Sequence, residues 1–107
     1  MIRPIFEREC RHVASRQVLP TKLRFILERD YVCDIFFRSS TGGYSYTLVK
    51  DERRVMGWDN APHHPRTLTA PHHFHTPEGT ISISLLTGNP VRDVVYVARA
   101  IDHPRRR

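Results

Sequence analysis

Five of the chain's seven histidines lie in one short segment, DNAPHHPRTLTAPHHFH, which runs from Asp59 to His75. One pair follows Pro62, a second pair follows Pro71, and a single histidine comes two residues later: His63, His64, His72, His73 and His75. The pKa of imidazole is close to neutrality, so histidine can take up or release a proton at physiological pH, and the neutral ring is a common metal ligand. This segment is therefore the first candidate for a reaction site.

The first hypothesis for the segment is metal-independent cleavage of RNA. Such cleavage needs a base for the 2′-hydroxyl proton, an acid for the leaving oxygen, and a cation that stabilises charge on the phosphate. The five histidines could supply the base and the acid, and Asp59 could orient one of them. Arginines around the segment could bind phosphate, and nearby aromatic rings could stack on bases. These residues are Arg53, Arg54, Arg66, Trp58, Tyr44 and Tyr46.

The second hypothesis is a divalent metal site. His73 and His75 lie two residues apart, so in an extended chain they point to the same side and can share an ion. His63 or His64 could add a ligand from across the loop, and Asp59 could supply an oxygen. The segment has no cysteine and no H-E-x-x-H pattern. We therefore expect no cofactor, and a divalent metal held by His63, His73 and His75 is the alternative.

The third hypothesis is that the segment is structural. Asp59 and Asn60 are good turn formers, because their side chains bond nearby backbone groups. Histidine N–H groups can satisfy carbonyls in a loop whose prolines lack donors. Adjacent histidines in an extended chain point to opposite faces, so each pair should have one inward and one outward ring. The segment would then support a function that lies elsewhere, including the docking of a partner protein.

The elements that must position this segment begin with a strand meander. Period-two patterns and β-branched or aromatic residues predict four strands over residues 22–29, 31–38, 44–51 and 53–60. Arg29-Asp30, the run Ser39–Gly43 and Asp51-Glu52 supply the turns between them. Strands joined by such short turns form an antiparallel meander over residues 20–60.

The rest of the chain contains a loop and two predicted helices. Prolines remove backbone donors, so residues 61–78 are predicted to form a stiff, extended loop along the sheet. Residues 79–86 alternate and are a candidate fifth strand. Asn89 can cap a helix over residues 90–103 that lies on the sheet. A weak amphipathic pattern predicts a short helix between Phe6 and Gln17. We therefore predict a single α+β domain over residues 1–107, with four to five antiparallel strands.

Composition narrows the partners. The chain has 107 residues, 39% of them hydrophobic, and a formal net charge of +6 at pH 7. Those values fit one domain with one core. Arginine supplies most of the positive charge, and its guanidinium can bond two phosphate oxygens, so polyanionic partners such as RNA, DNA or an acidic protein are favoured. No apolar run is long enough to span a membrane and the N-terminus lacks a signal-peptide pattern. We therefore expect a cytoplasmic protein without membrane contact.

The segment GWDNAPHHPRTLTAPHHFH resembles the signature of the TumE family, toxin-like proteins of bacterial and archaeal toxin-antitoxin loci. Members carry an aromatic-Asp-Asn-Ala-Pro-His-His-Pro run, here Trp58 to Pro65, and then a Pro-His-His-x-His run, here Pro71 to His75. An aromatic residue usually precedes the second run, where this chain has Ala70. The strand meander also fits the family's layout, so the resemblance covers about residues 21–76.

The resemblance implies a toxin of a toxin-antitoxin pair, with a small DNA-binding antitoxin as its partner. Small toxins of this size commonly attack RNA or translation, and such an activity is carried over to this chain by analogy. Together with the histidine density and the basic charge, it predicts a small endoribonuclease. The alternatives are a non-catalytic module that binds nucleic acid or protein, and a His-ligated, metal-dependent hydrolase. The sequence leaves open whether the protein forms a homo-oligomer.

Overall fold

The computed structural model describes the backbone of residues 2–105 and the side chains of residues 2–102. Two helices flank seven strands along this part of the chain. The helices are α1 (Ile2–Glu9) and α2 (Pro90–Arg105). The strands are β1 (Val13–Val18), β2 (Leu23–Leu27), β3 (Tyr31–Arg38), β4 (Gly43–Lys50), β5 (Arg53–Asp59), β6 (His73–His75) and β7 (Ile81–Ile83). Neither of the described helices is long and apolar enough to cross a membrane.

All seven strands form one antiparallel sheet, in which each strand pairs with its neighbours in the chain. The predicted α+β class and the meander are confirmed, but the sheet has seven strands rather than four or five. One unpredicted strand is β1, in a region where a helix was predicted; the N-terminal helix lies earlier, at Ile2–Glu9. β1 is an edge strand whose side chains are almost all exposed, so it carries no alternating apolar pattern.

The second unpredicted strand, β6, corrects the prediction of a strand-free loop over residues 61–78. The prolines of this region lie outside the three residues of β6, so none of them removes a donor from the ladder. Phe74 stacks on Trp58 with ring centroids 4.9 Å apart, while the histidines on either side of Phe74 point to the other face. β6 lies within the sheet, between β5 and β7.

Two hairpins turn through pairs of residues with positive φ. Arg29 and Asp30 join β2 to β3 at φ values of 63° and 66°. Asp51 and Glu52 join β4 to β5 at φ values of 52° and 63°. Two successive left-handed residues match the twist of antiparallel strands. Both turns lie where the sequence predicts them, and they hold the register of the central strands.

Both helices pack on one face of the sheet. Phe6 of α1 stacks on Phe25 of β2 with ring centroids 4.1 Å apart. The α2 helix buries an apolar stripe in the same core, consisting of Val94, Val97, Ala98 and Ile101. In the described part of the chain no helix packs on the opposite face, which we call the outer face.

The α2 helix begins at the predicted residue and ends later than predicted. Asn89 Oδ1 accepts the backbone N–H of Val91 at 3.1 Å, so Asn89 caps the helix as predicted. The helix continues to Arg105, two residues beyond the predicted end at residue 103. Pro104 lies in the last turn, so the bond that it cannot donate to the preceding turn is lost near the end of the helix.

Asp93 ties the connection before α2 to its first turn. The side chain is 3% exposed, and its carboxylate accepts bonds of 2.7–3.1 Å from the N–H groups of Thr87 and Gly88 and from the Thr87 hydroxyl. We expect Asp93→Ala to lower the free energy of unfolding by about 2–3 kcal/mol, because the donors of Thr87 and Gly88 would lose a charged acceptor. Urea denaturation followed by circular dichroism measures this. Glu78→Ala, at an exposed site, is the control, and an equal loss in both variants would contradict the assignment.

Candidate functional site

The register of the sheet places residues of the outer face in two neighbouring rows that run across the strands. The first row consists of Phe36, Ser45, Asp59, His73 and Ile83. The second row consists of Asp34, Thr47, Gly57, His75 and Ile81. Side chains of paired residues lie on the same face, so Asp59 of β5 meets His73 and His75 of β6 on the outer face.

Asp59 contacts two histidines at this meeting point. Its Oδ1 lies 2.9 Å from His73 Nε2, and its Oδ2 lies 3.0 Å from His75 Nε2. Their ligand atoms all lie within 4.8 Å of one another. His73 is 2% exposed, whereas the side chains of His75 and Asp59 are 13% and 22% exposed. We call these three residues the Asp59 centre. It is protected on one side and open to solvent on the other.

The hydrogen bonds of His73 constrain the charge of the centre. Its Nδ1 lies 3.0 Å from the carbonyl oxygen of Pro71, and a carbonyl can only accept. This contact is a hydrogen bond only when Nδ1 carries a proton. A neutral ring has one proton, so it can donate either to Pro71 or to the carboxylate of Asp59 but not to both. Both contacts are favourable together only when a further positive charge lies there, either a second proton on His73 or a metal ion.

His64 reaches the centre from the loop that follows β5. Its ring centroid is 4.7 Å from that of His73 and 6.0 Å from that of His75. The loop is a chain of tight turns closed by backbone bonds such as Thr67 N–H to the His64 carbonyl at 3.2 Å, rather than the predicted extended segment. Residues between the prolines supply the donors that close these turns. The turns fold His64 over the outer face.

Arg54 lies close enough to the centre to affect its protonation. Burial lowers the pKa of His75; the bond to Asp59 acts in the opposite direction, and the charge of Arg54 lowers the pKa further. Gly57, opposite His75 on β5, leaves room for this arginine, since a Cβ there would stand 3.4 Å from Arg54 Cδ and 3.0 Å from the Tyr46 carbonyl. His75 is therefore held towards its neutral form.

The two members of each histidine pair lie apart, so one residue of each pair, His63 or His72, lies outside the centre. His63 is exposed, and the ligand atoms that converge among the described residues belong to Asp59, His73 and His75 rather than to the alternative set of His63, His73 and His75. His72 points to the core side, where its Nδ1 lies 2.7 Å from the Tyr44 hydroxyl. Neither His63 nor His72 joins the residues around Asp59.

The three aromatic residues proposed to stack on bases are core residues. Tyr44, Tyr46 and Trp58 are 4%, 0% and 3% exposed. Burial raises the pKa of both tyrosines well above the usual value for a phenol. Trp58 is covered by Phe74 and Tyr96, so none of the three rings offers a face to a base. The burial of Trp58 could have been predicted from the sequence, because Trp58 and Asp59 are adjacent in a strand and must face opposite sides of the sheet.

A half-buried aromatic residue that the sequence analysis did not select lies beside the centre. Phe36 shares the first row with Asp59, and the guanidinium carbon of Arg38 lies 5.7 Å from its ring centroid. A groove of about 380 Å³ connects the ring to the centre. Its lining includes Phe36, Ser45, Asp59, Asn60, Ala61 and Pro62. The alternation of side chains along β3 would have identified Phe36, because Phe36 points to the face opposite the buried Cys33 and Ile35.

The predicted phosphate ligands are distributed around this face. The charge of Arg54 lowers the pKa of His75. Arg66 is exposed and lines a second depression, of about 270 Å³, together with His63 and His64. Arg53 is exposed at the start of β5, on the turn side of Arg54. Arg54 therefore lies near the centre, and Arg66 lies beside His64.

Fold and site together define a class: a small basic α+β protein whose antiparallel meander presents a histidine–aspartate centre on a face without helices. A family model described as Toxin TumE matches residues 3–102. Because this match covers nearly the whole chain, the protein belongs to the TumE toxin family, as its histidine motif predicted. Membership of a toxin family implies an antitoxin partner in general. No curated protein and no solved structure matches the chain.

The charge of Arg54 gives a direct test of the site's electrostatics. We expect Arg54→Ala to raise the pKa of His75, because the neighbouring positive charge that disfavours the imidazolium is removed. An NMR titration of the histidine ring protons in buffer containing a chelator measures the pKa. The matched control is Arg53→Ala, one residue away along β5, which should leave His75 unchanged. Equal shifts in both variants would place Arg54 away from the centre.

Proposed function

We propose that this toxin acts by cleaving phosphodiester bonds in RNA at the Asp59 centre. The observation that carries the proposal is that one carboxylate contacts two imidazoles on an open, arginine-flanked face of the sheet. Such clusters perturb protonation and concentrate charge, as sites that transfer protons or bind phosphate require. The supporting observations are the formal charge of +6 and membership of a toxin family.

The residues divide into three roles. The positive charge that the His73–Asp59 contact requires would stabilise the charge that develops on the phosphate. His64 lies against both imidazoles of the centre but is not one of the two that contact the carboxylate, so it is the candidate for proton transfer. Arg54 and Arg66 would bind phosphate oxygens, for which the guanidinium fork is suited.

The groove beside the centre supports a single-stranded substrate. A splayed base can stack on the half-buried ring of Phe36, while the Arg38 guanidinium adds a cation at the same place. The base would then lie next to Asp59, because both residues line the groove. This arrangement would bring the adjacent phosphate to the histidines.

We further propose that the antitoxin partner is a small DNA-binding protein and that the toxin acts in the cytoplasm. The support for both proposals is the class of protein, since RNA is a cytoplasmic target. A neighbouring gene that encodes a helix-turn-helix protein would support the first proposal. Purification of the two gene products as a stable complex would then establish the pairing.

Variants of the centre test the catalytic proposal. We expect Asp59→Asn and His64→Ala to lower the rate of cleavage of total RNA by about 100-fold or more, since a positioned acid or base contributes about that much. His63→Ala is the matched control, because His63 is exposed and outside the centre. The rate is measured with purified protein, and growth arrest on induction provides a second measurement in cells.

Three outcomes separate the alternatives. Loss of cleavage in the two variants and retention in His63→Ala supports the proposal. Absence of cleavage by the unmodified protein under all conditions, or equal activity in all variants, contradicts it. Salt-dependent RNA binding without turnover would instead assign a non-catalytic binding module, since phosphate contacts release counterions.

Phe36 gives a separate test of the substrate. We expect Phe36→Ala to weaken binding of a single-stranded RNA oligonucleotide by about 5–100-fold, corresponding to about 1–3 kcal/mol for one stacked base. Phe36→Tyr should retain the affinity, because the ring is kept. Leu68→Ala, at a side chain that is 94% exposed, is the control for loss of apolar surface. Fluorescence anisotropy measures the Kd, and equal affinities for Phe36→Ala and the unmodified protein would exclude stacking at this position.

A further inference from the structure

We propose that Asp59, His73 and His75 bind one divalent first-row transition-metal ion, with Zn²⁺ as the expected occupant. This inference deepens the proposed function by identifying the positive charge at the centre. Its role in RNA cleavage rests on that function, whereas binding of the ion can be measured without it.

The three side chains converge closely enough to share one ion after local movement. His73 Nε2 lies 2.9 Å from Asp59 Oδ1, His75 Nε2 lies 3.0 Å from Asp59 Oδ2, and one ligand atom from each residue lies within 4.8 Å of the others. Bonds from zinc to imidazole nitrogen and carboxylate oxygen are about 2.0–2.2 Å, so tetrahedral ligand atoms lie about 3.3 Å apart. Each close nitrogen–oxygen pair would separate by a few tenths of an ångström, and the atoms that are farther apart would move together.

The contacts behind the ligands are those that hold a metal site rigid. The carbonyl of Pro71 accepts the Nδ1 proton of His73 at 3.0 Å, which leaves the Nε2 lone pair available for an ion. The carboxylate is held as well, because Asp59 Oδ1 accepts the backbone N–H of Ala61 at 3.0 Å. Pairing between β5 and β6 fixes the two backbones that carry all three ligands.

A proton is the competing occupant, and the surroundings favour the ion. A second proton on His73 would make a buried imidazolium, at 2% exposure, within 4.9 Å of the His75 ring and 4.7 Å of the His64 ring. Burial of a charged group is costly, and the pairing with Asp59 at 2.9 Å would offset part of that cost. A metal ion uses the neutral forms of both rings and neutralises the carboxylate at the same time. The N₂O donor set without thiolate suits zinc among the borderline metals.

Three protein ligands leave coordination open for a further ligand. In zinc enzymes three protein ligands typically accompany one exchangeable position, whereas structural sites are closed by four. The carboxylate is 22% exposed and lines the groove beside Phe36, so the open position would face the proposed RNA path. A phosphate oxygen of the substrate is the ligand that fits this position.

The test uses the full chain without a histidine tag, stripped of metal by a chelator and titrated with Zn²⁺ against a chromophoric competitor. We expect one equivalent to bind. Asp59→Asn and His75→Gln should raise the Kd by more than about 100-fold, since loss of a supporting contact alone costs about 10–100-fold. His63→Ala, with a histidine removed from the same loop, should bind like the unmodified chain.

A second measurement covers the case in which a variant fails to fold. In the unmodified chain, Zn²⁺ should raise the Tm and shift the NMR signals of the His73 and His75 rings but not those of His63. Absence of stoichiometric binding, equal affinity in Asp59→Asn, or shifts confined to His63 would overturn the inference.

RNA assays separate this inference from the proposed function. Zinc bound at one equivalent by a protein that never cleaves RNA supports the metal site and contradicts the nuclease. Full RNA cleavage in chelator by a protein that binds no zinc supports the nuclease and overturns the metal site. Cleavage that is abolished by chelator and restored by Zn²⁺ supports both.

Discussion

The contact of Asp59 with His73 and His75 is the constraint on which the organisation of the outer face depends. Both carboxylate oxygens are used, at 2.9 and 3.0 Å, and Oδ1 also accepts the N–H of Ala61. A buried polar network of this kind is stable only when every member is satisfied. The same carboxylate therefore links β5 to β6 and sets the direction in which the following loop leaves the sheet.

The core and the site depend on the same register. Trp58 stacks on Phe74 on the core face, and the next pair in the register, Asp59 with His73, lies on the outer face. A slip of one residue would exchange the two faces, burying the carboxylate under the helices and exposing the aromatic pair. The apolar stack thus protects the polar centre against an alternative pairing, although the two share no side chain.

The sequence allowed much of the fold to be predicted, because its signals are local. Alternation marked β2 to β5, pairs such as Arg29-Asp30 marked tight turns, and Asn89 marked the start of α2. The strand β6 was missed because three residues between prolines give no period. The strand β1 was missed because an exposed edge strand needs no apolar face.

The candidate site was predicted as a set of residues rather than as an arrangement. The motif identified the histidines and Asp59, and it indicated that each histidine pair would divide between two faces. It could not show that His64 and His73 would meet while His63 and His72 would not, because that depends on the turns of the loop. Burial of Tyr44 and Tyr46 depends on which face the helices cover, and this is decided by contacts distant in the chain.

The sequential order of the strands has a consequence for how quickly the molecule forms. Every pairing in the sheet joins neighbours in the chain, so most loops to be closed are short, and the longest, over residues 60–72, joins β5 to β6. Chains dominated by such local contacts fold faster than those that must join distant segments. The Asp59 centre is assembled entirely from adjacent strands. Its ligands can therefore come together once the connection over residues 60–72 closes, without any contact from the N-terminal helix α1.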